Sequence, residues 1–166
     1  MPDLHSNDLT RICSVECSHI ADLIRIGEET NLSPWSAQSY FEEIKNPRSI
    51  MLRLVSDENH TLGFVVGRLV AGGDIDVSVD AEIYNIAITT AHQRYGYGQL
   101  MLDRFLRECN DKAVENVYLE VRESNAKAIS FYRKNGFEQV QTRPNFYNDP
   151  REHALLMRLK LKDQRP

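Results

Sequence analysis

The sequence predicts a mixed α/β domain, largely antiparallel in its central sheet, with one local parallel strand pair and about four flanking helices. Three observations carry that expectation. Residues 82–122 form the one clear β-α-β stretch, and a crossover of that kind makes its two strands parallel. The β-rich runs on either side of it are joined by turn-like segments, the mark of antiparallel neighbours. A chain of 166 residues, 42% hydrophobic and 27% charged, matches one globular domain whose core needs neither disulfide nor metal. Residues 1–166 are therefore read as a single domain.

In order, Leu9–Val15 reads as a short first strand. Glu16–Glu29 places Ile20, Leu23, Ile24 and Gly27 on one side, a helical spacing. Asn31–Trp35 breaks it, and Ser36 can cap a second helix through Lys45. Ile50–Val55 and Leu62–Val70 are β-rich and flank Ser56–His60, a hairpin signature. Ala71–Ala81, with Gly72, Gly73 and three aspartates, is the expected irregular stretch. Glu82–Thr89 reads as a strand. Gly98–Asn110 is a helix with Met101, Leu102, Phe105, Leu106 and Cys109 on its apolar face. Asn116–Arg122 alternates, Val117, Leu119 and Val121 against Tyr118, Glu120 and Arg122. Asn125–Asn135 is a helix closed by Gly136. Phe137–Gln141 and Ala154–Lys160 are the closing strands, around a loop holding Pro144 and Pro150.

Composition excludes several classes. No apolar run reaches the ~20 residues of a membrane-spanning helix, and Met1–His5 lacks the opening of a signal peptide. Cys13, Cys17 and Cys109 are few and odd in number, which predicts a reducing, cytosolic setting. The net charge of −4 argues against indiscriminate nucleic-acid binding. Resolved along the chain, residues 1–90 hold 6 Lys and Arg against 14 Asp and Glu, and residues 91–166 hold 14 against 10. An anionic ligand for the basic segment and a cationic one for the acidic segment is one reading of that gradient; an unevenly charged solvated surface is the other. Nothing in the sequence specifies an oligomeric state.

The strongest chemical signal is Gln93-Arg94-Tyr95-Gly96-Tyr97-Gly98, between a strand and a helix. Two glycines permit a tight turn, the helix start supplies unpaired N–H groups, and Arg94 adds a full charge; together they suit a pyrophosphate. A plain strand-to-helix turn is the competing reading. A Walker A loop needs Lys-Ser/Thr where Gln99 and Leu100 stand. A dinucleotide fingerprint needs a third glycine where Met101 stands. Both are rejected. No metal site is expected, because His5, His19, His60, His92 and His153 are scattered and Cys13/Cys17 lack a second ligand pair.

Asn85-Ile86-Ala87-Ile88 followed by Gln-x-x-Gly-x-Gly resembles the acetyl-CoA core of the GNAT N-acetyltransferases. Leu119-Glu120-Val121-Arg122 resembles that superfamily's next strand. Ser124-Asn125-x-x-Ala128-Ile129-x-x-Tyr132-x-x-x-Gly136-Phe137 is similar to its next helix and strand. With Pro34-Trp35-Ser36 and Asn145-Phe146-Tyr147, the chain is most similar to bacterial RimI-type enzymes, which acetylate the N-terminal alanine of a small-subunit ribosomal protein. The resemblance implies two splayed parallel strands, with the backbone of Ile86, Ala87 and Ile88 pairing with pantetheine and the turn Gln93–Gly98 holding pyrophosphate. It implies that Asn125, otherwise a helix cap, contacts the coenzyme, and that Trp35 and Tyr147 help frame the acceptor. The similarity departs at His153, where RimI-like chains tend to carry Asp, and at the long 71–81 linker.

Acyl transfer from a thioester needs a neutral amine, a stabilised oxyanion and a proton for the leaving thiolate. An α-amine, with a pKa of about 8, meets the first need far better than a lysine. Glu120 is the candidate base: a charged residue within a parallel strand normally covered on both faces is costly without a purpose, and the resemblance assigns the base there. A Glu on a solvated strand face is the alternative. The resemblance also makes Tyr132 the general acid, although its spacing from Ile129 equally suits a core residue. Backbone N–H groups at Ile86–Ile88 can serve the oxyanion without a metal. The expected activity is direct acetyl transfer from acetyl-CoA to the N-terminus of a basic protein, a ribosomal one by the resemblance, without nucleic-acid or membrane binding. A GNAT enzyme acting on a small amine or lysine, and a non-catalytic acetyl-CoA sensor, stay open as alternatives.

Overall fold

Alternating and helically spaced apolar residues set the elements, seen here in a computed structural model that describes residues 10–72 and 78–161. They run β1 (Arg11–Ser14), a 3₁₀ turn (Cys17–His19), α1 (Ile20–Glu29), α2 (Ala37–Lys45), β2 (Ser49–Val55), β3 (Thr61–Ala71) and β4 (Val79–Ile88). A second 3₁₀ turn (Thr90–His92), α3 (Tyr97–Asp111), β5 (Val114–Arg122), α4 (Ala126–Lys134), β6 (Glu138–Asn148) and β7 (Arg151–Lys160) complete them. The expected order of elements is the observed one. The seven strands hydrogen-bond in the order β1-β2-β3-β4-β5-β7-β6. β4 and β5 are parallel, while β1/β2, β5/β7 and β6/β7 are antiparallel.

The residues divide into two compact units. One comprises the chain up to Val66 plus Asn85–Leu106; the other comprises Gly67–Tyr84 and the chain from Arg107. In the first, Leu23 and Ile26 of α1, Tyr40 of α2, Leu54 and Val55 of β2, Phe64–Val66 of β3 and Met101, Leu102 and Phe105 of α3 are buried. Ser36 caps α2, its Oγ accepting the Ser39 N–H at 3.0 Å. Gly63 lets β3 and β4 approach closely: a Cβ there would run into Ile88 Cδ1 and stand 2.7 Å from the Ala87 carbonyl oxygen. In the second unit, Val117, Leu119 and Val121 of β5, Ile129 and Tyr132 of α4, Phe137, and Ala154, Leu155 and Met157 of β7 are buried. Gly136 closes α4 at φ +87°, a left-handed conformation that favours glycine.

Several boundaries differ from expectation. The Glu16–Glu29 helix is a 3₁₀ turn followed by α1, because Glu16 and His19 close a capping pair: the Glu16 N–H donates to His19 Nδ1 at 3.0 Å and the His19 N–H to Glu16 O at 2.9 Å. β4 starts at Val79, inside the stretch expected to be irregular; residues 73–77 of that stretch, Leu9 of the first expected strand, and residues 162–166 lie outside the described residues. The largest correction is at the end. The expected loop around Pro144 and Pro150 is instead strand, with only Asp149 and Pro150 between β6 and β7. Pro144 is tolerated because β6 is an edge strand and its register with β7 is broken between Arg143 and Tyr147.

Candidate active site

In the first unit, the end of β4 carries Ile86, half-buried, and Ala87 and Ile88, buried. The ladder from β4 to β5 ends at Ile83↔Leu119, so these three residues lie beyond it. The Gln93 side chain donates to the Ile88 carbonyl at 3.0 Å, tying the following turn to the strand end. Within that turn Arg94 and Gly96 are both left-handed, at φ +70° and +81°. A Cβ at Gly96 would meet no atom within 4 Å, so glycine is required there by conformation and not by space. α3 begins at Tyr97, and its first intrahelical bond is Leu100 N–H to Gly96 O at 3.0 Å. The N–H groups of Tyr97 and Gly98 thus belong to the helix turn that precedes the first intrahelical bond. Arg94 and Tyr95 are exposed, and the Tyr95 ring stacks on Tyr97 with centroids 6.2 Å apart. These residues fit an anionic phosphate group: a left-handed turn, the N–H groups of a helix start and an exposed guanidinium.

Sequence spacing did not disclose how this turn is anchored. The Glu29 carboxylate, at the end of α1, accepts the Thr90 N–H at 2.5 Å, and hydrogen bonding by Thr90 holds the carboxyl below its usual range. Thr89 Oγ1 and His92 Nδ1 are 2.8 Å apart. Trp35 precedes the α2 cap, half-buried, with its ring 5.3 Å from Tyr40. Tyr40 meets Phe64 edge-on at 6.2 Å, and burial pushes its phenol up to about 12.

The second unit places Glu120, Tyr132, Asn125 and Tyr147. β5 is not covered on both faces as expected. Val117, Leu119 and Val121 are buried, but Tyr118, Glu120 and Arg122 on the opposite face are half-open. The argument from a doubly buried charge therefore fails, and Glu120 has a partner: its Oε1 is ion-paired with Arg143 Nη1 of β6. Tyr132 is buried against Phe131 and Phe137, with centroids 5.4 and 5.5 Å away. Burial, and then the neighbouring Tyr147, push its phenol well above the ordinary tyrosine range, so it stays protonated and able to donate. Asn125 caps α4, its side chain accepting the Ala128 N–H at 3.1 Å.

Tyr147 is half-buried, with the Arg122 guanidinium 4.1 Å over its ring. Burial, and after it the Glu120 charge, raise the phenol. Arg122 also donates to Pro150 O at 3.1 Å, Asp149 O at 3.0 Å and Glu152 Oε2 at 3.3 Å, fastening the β6–β7 turn to β5. The other Glu152 oxygen accepts the Ser124 N–H at 2.5 Å, and this bonding lowers the Glu152 carboxyl. His153 Nδ1 accepts the Asn145 N–H at 2.9 Å, supporting Asn145 at φ +52°. Arg122, Arg143, Glu152 and His153 were not legible as a group. The available signal was the alternation of Glu120 with Arg122, which puts both on one strand face. Among the described residues no three His, Cys, Asp or Glu side chains gather as a metal site, and no helix is long and apolar enough to cross a membrane.

The molecule resembles known proteins along most of its length. A family model described as the acetyltransferase (GNAT) family matches residues 20–137. The ribosomal protein bS18-alanine N-acetyltransferase of Haemophilus influenzae is 34% identical over 152 residues, 88% of this chain and 95% of that relative. The crystal structure of the ribosomal-protein-S18-alanine N-acetyltransferase from Escherichia coli matches with a TM-score of 0.79 at 27% identity, covering 95% of this chain and 99% of that one. Arabidopsis thaliana NAA60, crystallised with acetyl-CoA, matches in fold with a TM-score of 0.81 at 14% identity, over 92% of this chain and 99% of that one. With a family model matching residues 20–137 and a relative 34% identical over 88% of its length, the chain belongs to the GNAT family of acetyltransferases.

Proposed function

We propose that the protein transfers the acetyl group of acetyl-CoA to the N-terminal α-amine of a protein, with the N-terminal alanine of ribosomal protein bS18 as the acceptor. The observation that carries this reading is the near full-length match to a relative of that one named activity. The whole chain serves as one catalytic domain in the cytoplasm. Its partner is a basic polypeptide N-terminus, not a nucleic acid or a membrane.

The first unit takes the cosubstrate. Gln93–Gly98 and the start of α3 hold the pyrophosphate, and the backbone of Ile86, Ala87 and Ile88 orients the pantetheine arm and receives the oxyanion. The resemblance gives Asn125 a coenzyme contact beside its capping role. The acceptor amine attacks the thioester carbonyl carbon while Glu120 accepts its proton, directly or through one water. As the C–S bond breaks, Tyr132 gives its proton to the thiolate, which leaves as the free thiol. Burial keeps the phenol protonated, so the proton is present to be given. Trp35 and Tyr147 frame the acceptor peptide.

The test incubates the protein with acetyl-CoA and peptides beginning Ala-Arg, Ser-Arg or Met-Arg, or a blocked acetyl-Ala-Lys peptide, following product mass. Acetylation of the Ala-Arg peptide at its N-terminus is expected. Transfer to the blocked lysine peptide alone would overturn the N-terminal reading. Tight acetyl-CoA binding with no transfer would identify a sensor.

A further inference from the structure

We infer that Arg143 is a resident counter-ion of Glu120 which the acceptor's ammonium must displace, so that this arginine sets the acceptor affinity. The inference rests on the reading of Glu120 as the group that meets the acceptor amine. Register explains how the two residues meet. Ala154 of β7 lies opposite Arg122 of β5 on one side and Arg143 of β6 on the other, and Leu156 lies opposite Glu120 and Gln141. Directly paired residues share a sheet face, as do residues two apart. Glu120, Arg122, Ala154 and Arg143 therefore stand on one face. The small Ala154 side chain between the two arginines leaves Arg143 room to reach diagonally to Glu120.

The two arginines differ in how firmly they are held. Arg122 makes three hydrogen bonds to the β6–β7 turn region and lies over Tyr147. Arg143 holds the Glu120 carboxylate and lies 4.6 Å over the Phe146 ring, with its side chain 48% exposed against 24% for Glu120. An ion pair open to water in this way is weak and exchanges readily. An arriving ammonium finds the guanidinium competing at Oε1, or meets a like charge beside it at Oε2. Either way Arg143 opposes acceptor binding. Once displaced it keeps its seat on the Phe146 ring. The arginine acts through Glu120 and is a positioning residue, not a catalytic one.

The test compares Arg143→Gln, Arg143→Lys and Glu120→Gln in the full chain, with an Ala-Arg peptide as the varied substrate. In Arg143→Gln the acceptor KM should fall about two- to fivefold, the range that an exposed ion pair allows, while the acetyl-CoA KM holds. Arg143→Lys should restore the parent acceptor KM. A purely structural role would instead raise the acceptor KM in Arg143→Gln, or lower thermal stability with that KM unchanged; either result overturns the inference. Should Arg143→Gln fold poorly, calorimetric binding of the peptide to Glu120→Gln decides: the unpaired guanidinium should weaken it relative to the parent, and equal or tighter binding refutes the proposal. Parent-like turnover in Glu120→Gln would remove Glu120 as base without touching the competition. Slow turnover there, with an unmoved acceptor KM in Arg143→Gln, would sink the competition alone.

Discussion

Replacing Gly63 by Ala tests the link between packing and the cosubstrate strand. The added methyl would meet Ile88 Cδ1 and stand 2.7 Å from the Ala87 carbonyl oxygen. The isoleucine terminus can rotate away, but a strand carbonyl cannot, so β3 and β4 must separate by several tenths of an ångström. Overpacking of this kind costs about 1–3 kcal/mol, and the stiffer unfolded chain offsets roughly 0.4–1 kcal/mol of it. A net loss near 1–2 kcal/mol corresponds to a Tm lower by about 2–8 °C for a chain of this size. Calorimetry on parent and variant measures that shift. Because the displaced atom is the carbonyl of Ala87, flanked by Ile86 and Ile88, the acetyl-CoA KM should rise more than the acceptor KM. A variant as stable as the parent, with both KM values unmoved, would refute the reasoning.

Other expectations follow from the same contacts. Glu120→Gln should lower kcat about 10²- to 10⁴-fold, the usual worth of general base catalysis, with acetyl-CoA affinity by titration calorimetry unchanged. Burial raises the Tyr132 phenol, so its contribution is complete below the unfolded value of about 10 and is lost as pH climbs beyond it; Tyr132→Phe should therefore lose less Tm than the parent between about pH 9 and 11. Cys17 is exposed, Cys13 half-buried, and Cys109 buried with its thiol pushed up to about 12 by burial first and Glu108 second. Iodoacetamide at neutral pH should accordingly label Cys17 first and Cys109 only in denaturant, as read by mass spectrometry. Acceptor KM should rise with added salt, as encounters between charged groups weaken.

Residues whose role depends on local conformation were legible in the sequence. Gly96 could be read as a tight-turn residue and Gly136 as a helix stop, because conformational freedom belongs to the residue itself, and both are left-handed in the structure. Ser36 and Asn125 could be read as caps, and Tyr132 as facing the core through its spacing from Ile129. What escaped depends on register. Glu120 and Arg143 are 23 residues apart in sequence and meet across β7, which lies between their strands, in a hairpin whose ladder slips twice. A single residue of slip turns a side chain to the other face, so no reading of β6 by composition could have placed Arg143. Glu29 and Thr90 are 61 residues apart, and the carboxylate finds a backbone N–H, a partner that leaves no trace in sequence.

The charge gradient shows how far a sum along the chain can mislead about a site. The segment 91–166 is basic in total, yet it contains Glu120, the proposed base, and Glu152, which is paired with Arg122. Each is matched to an arginine of that same segment, so attraction for a cationic N-terminus cannot be read from net charge. It depends on which carboxylate can be released from its partner. Glu152 is bound by Arg122 and by the Ser124 N–H, and its side chain is 15% exposed. Glu120 is held by the more exposed Arg143. Removing Glu152 would leave Arg122 without one partner and the Ser124 N–H without its acceptor, whereas releasing Glu120 breaks only the contact with Arg143. The anionic site proposed for the acceptor is thus the carboxylate of the less firmly bound of the two ion pairs.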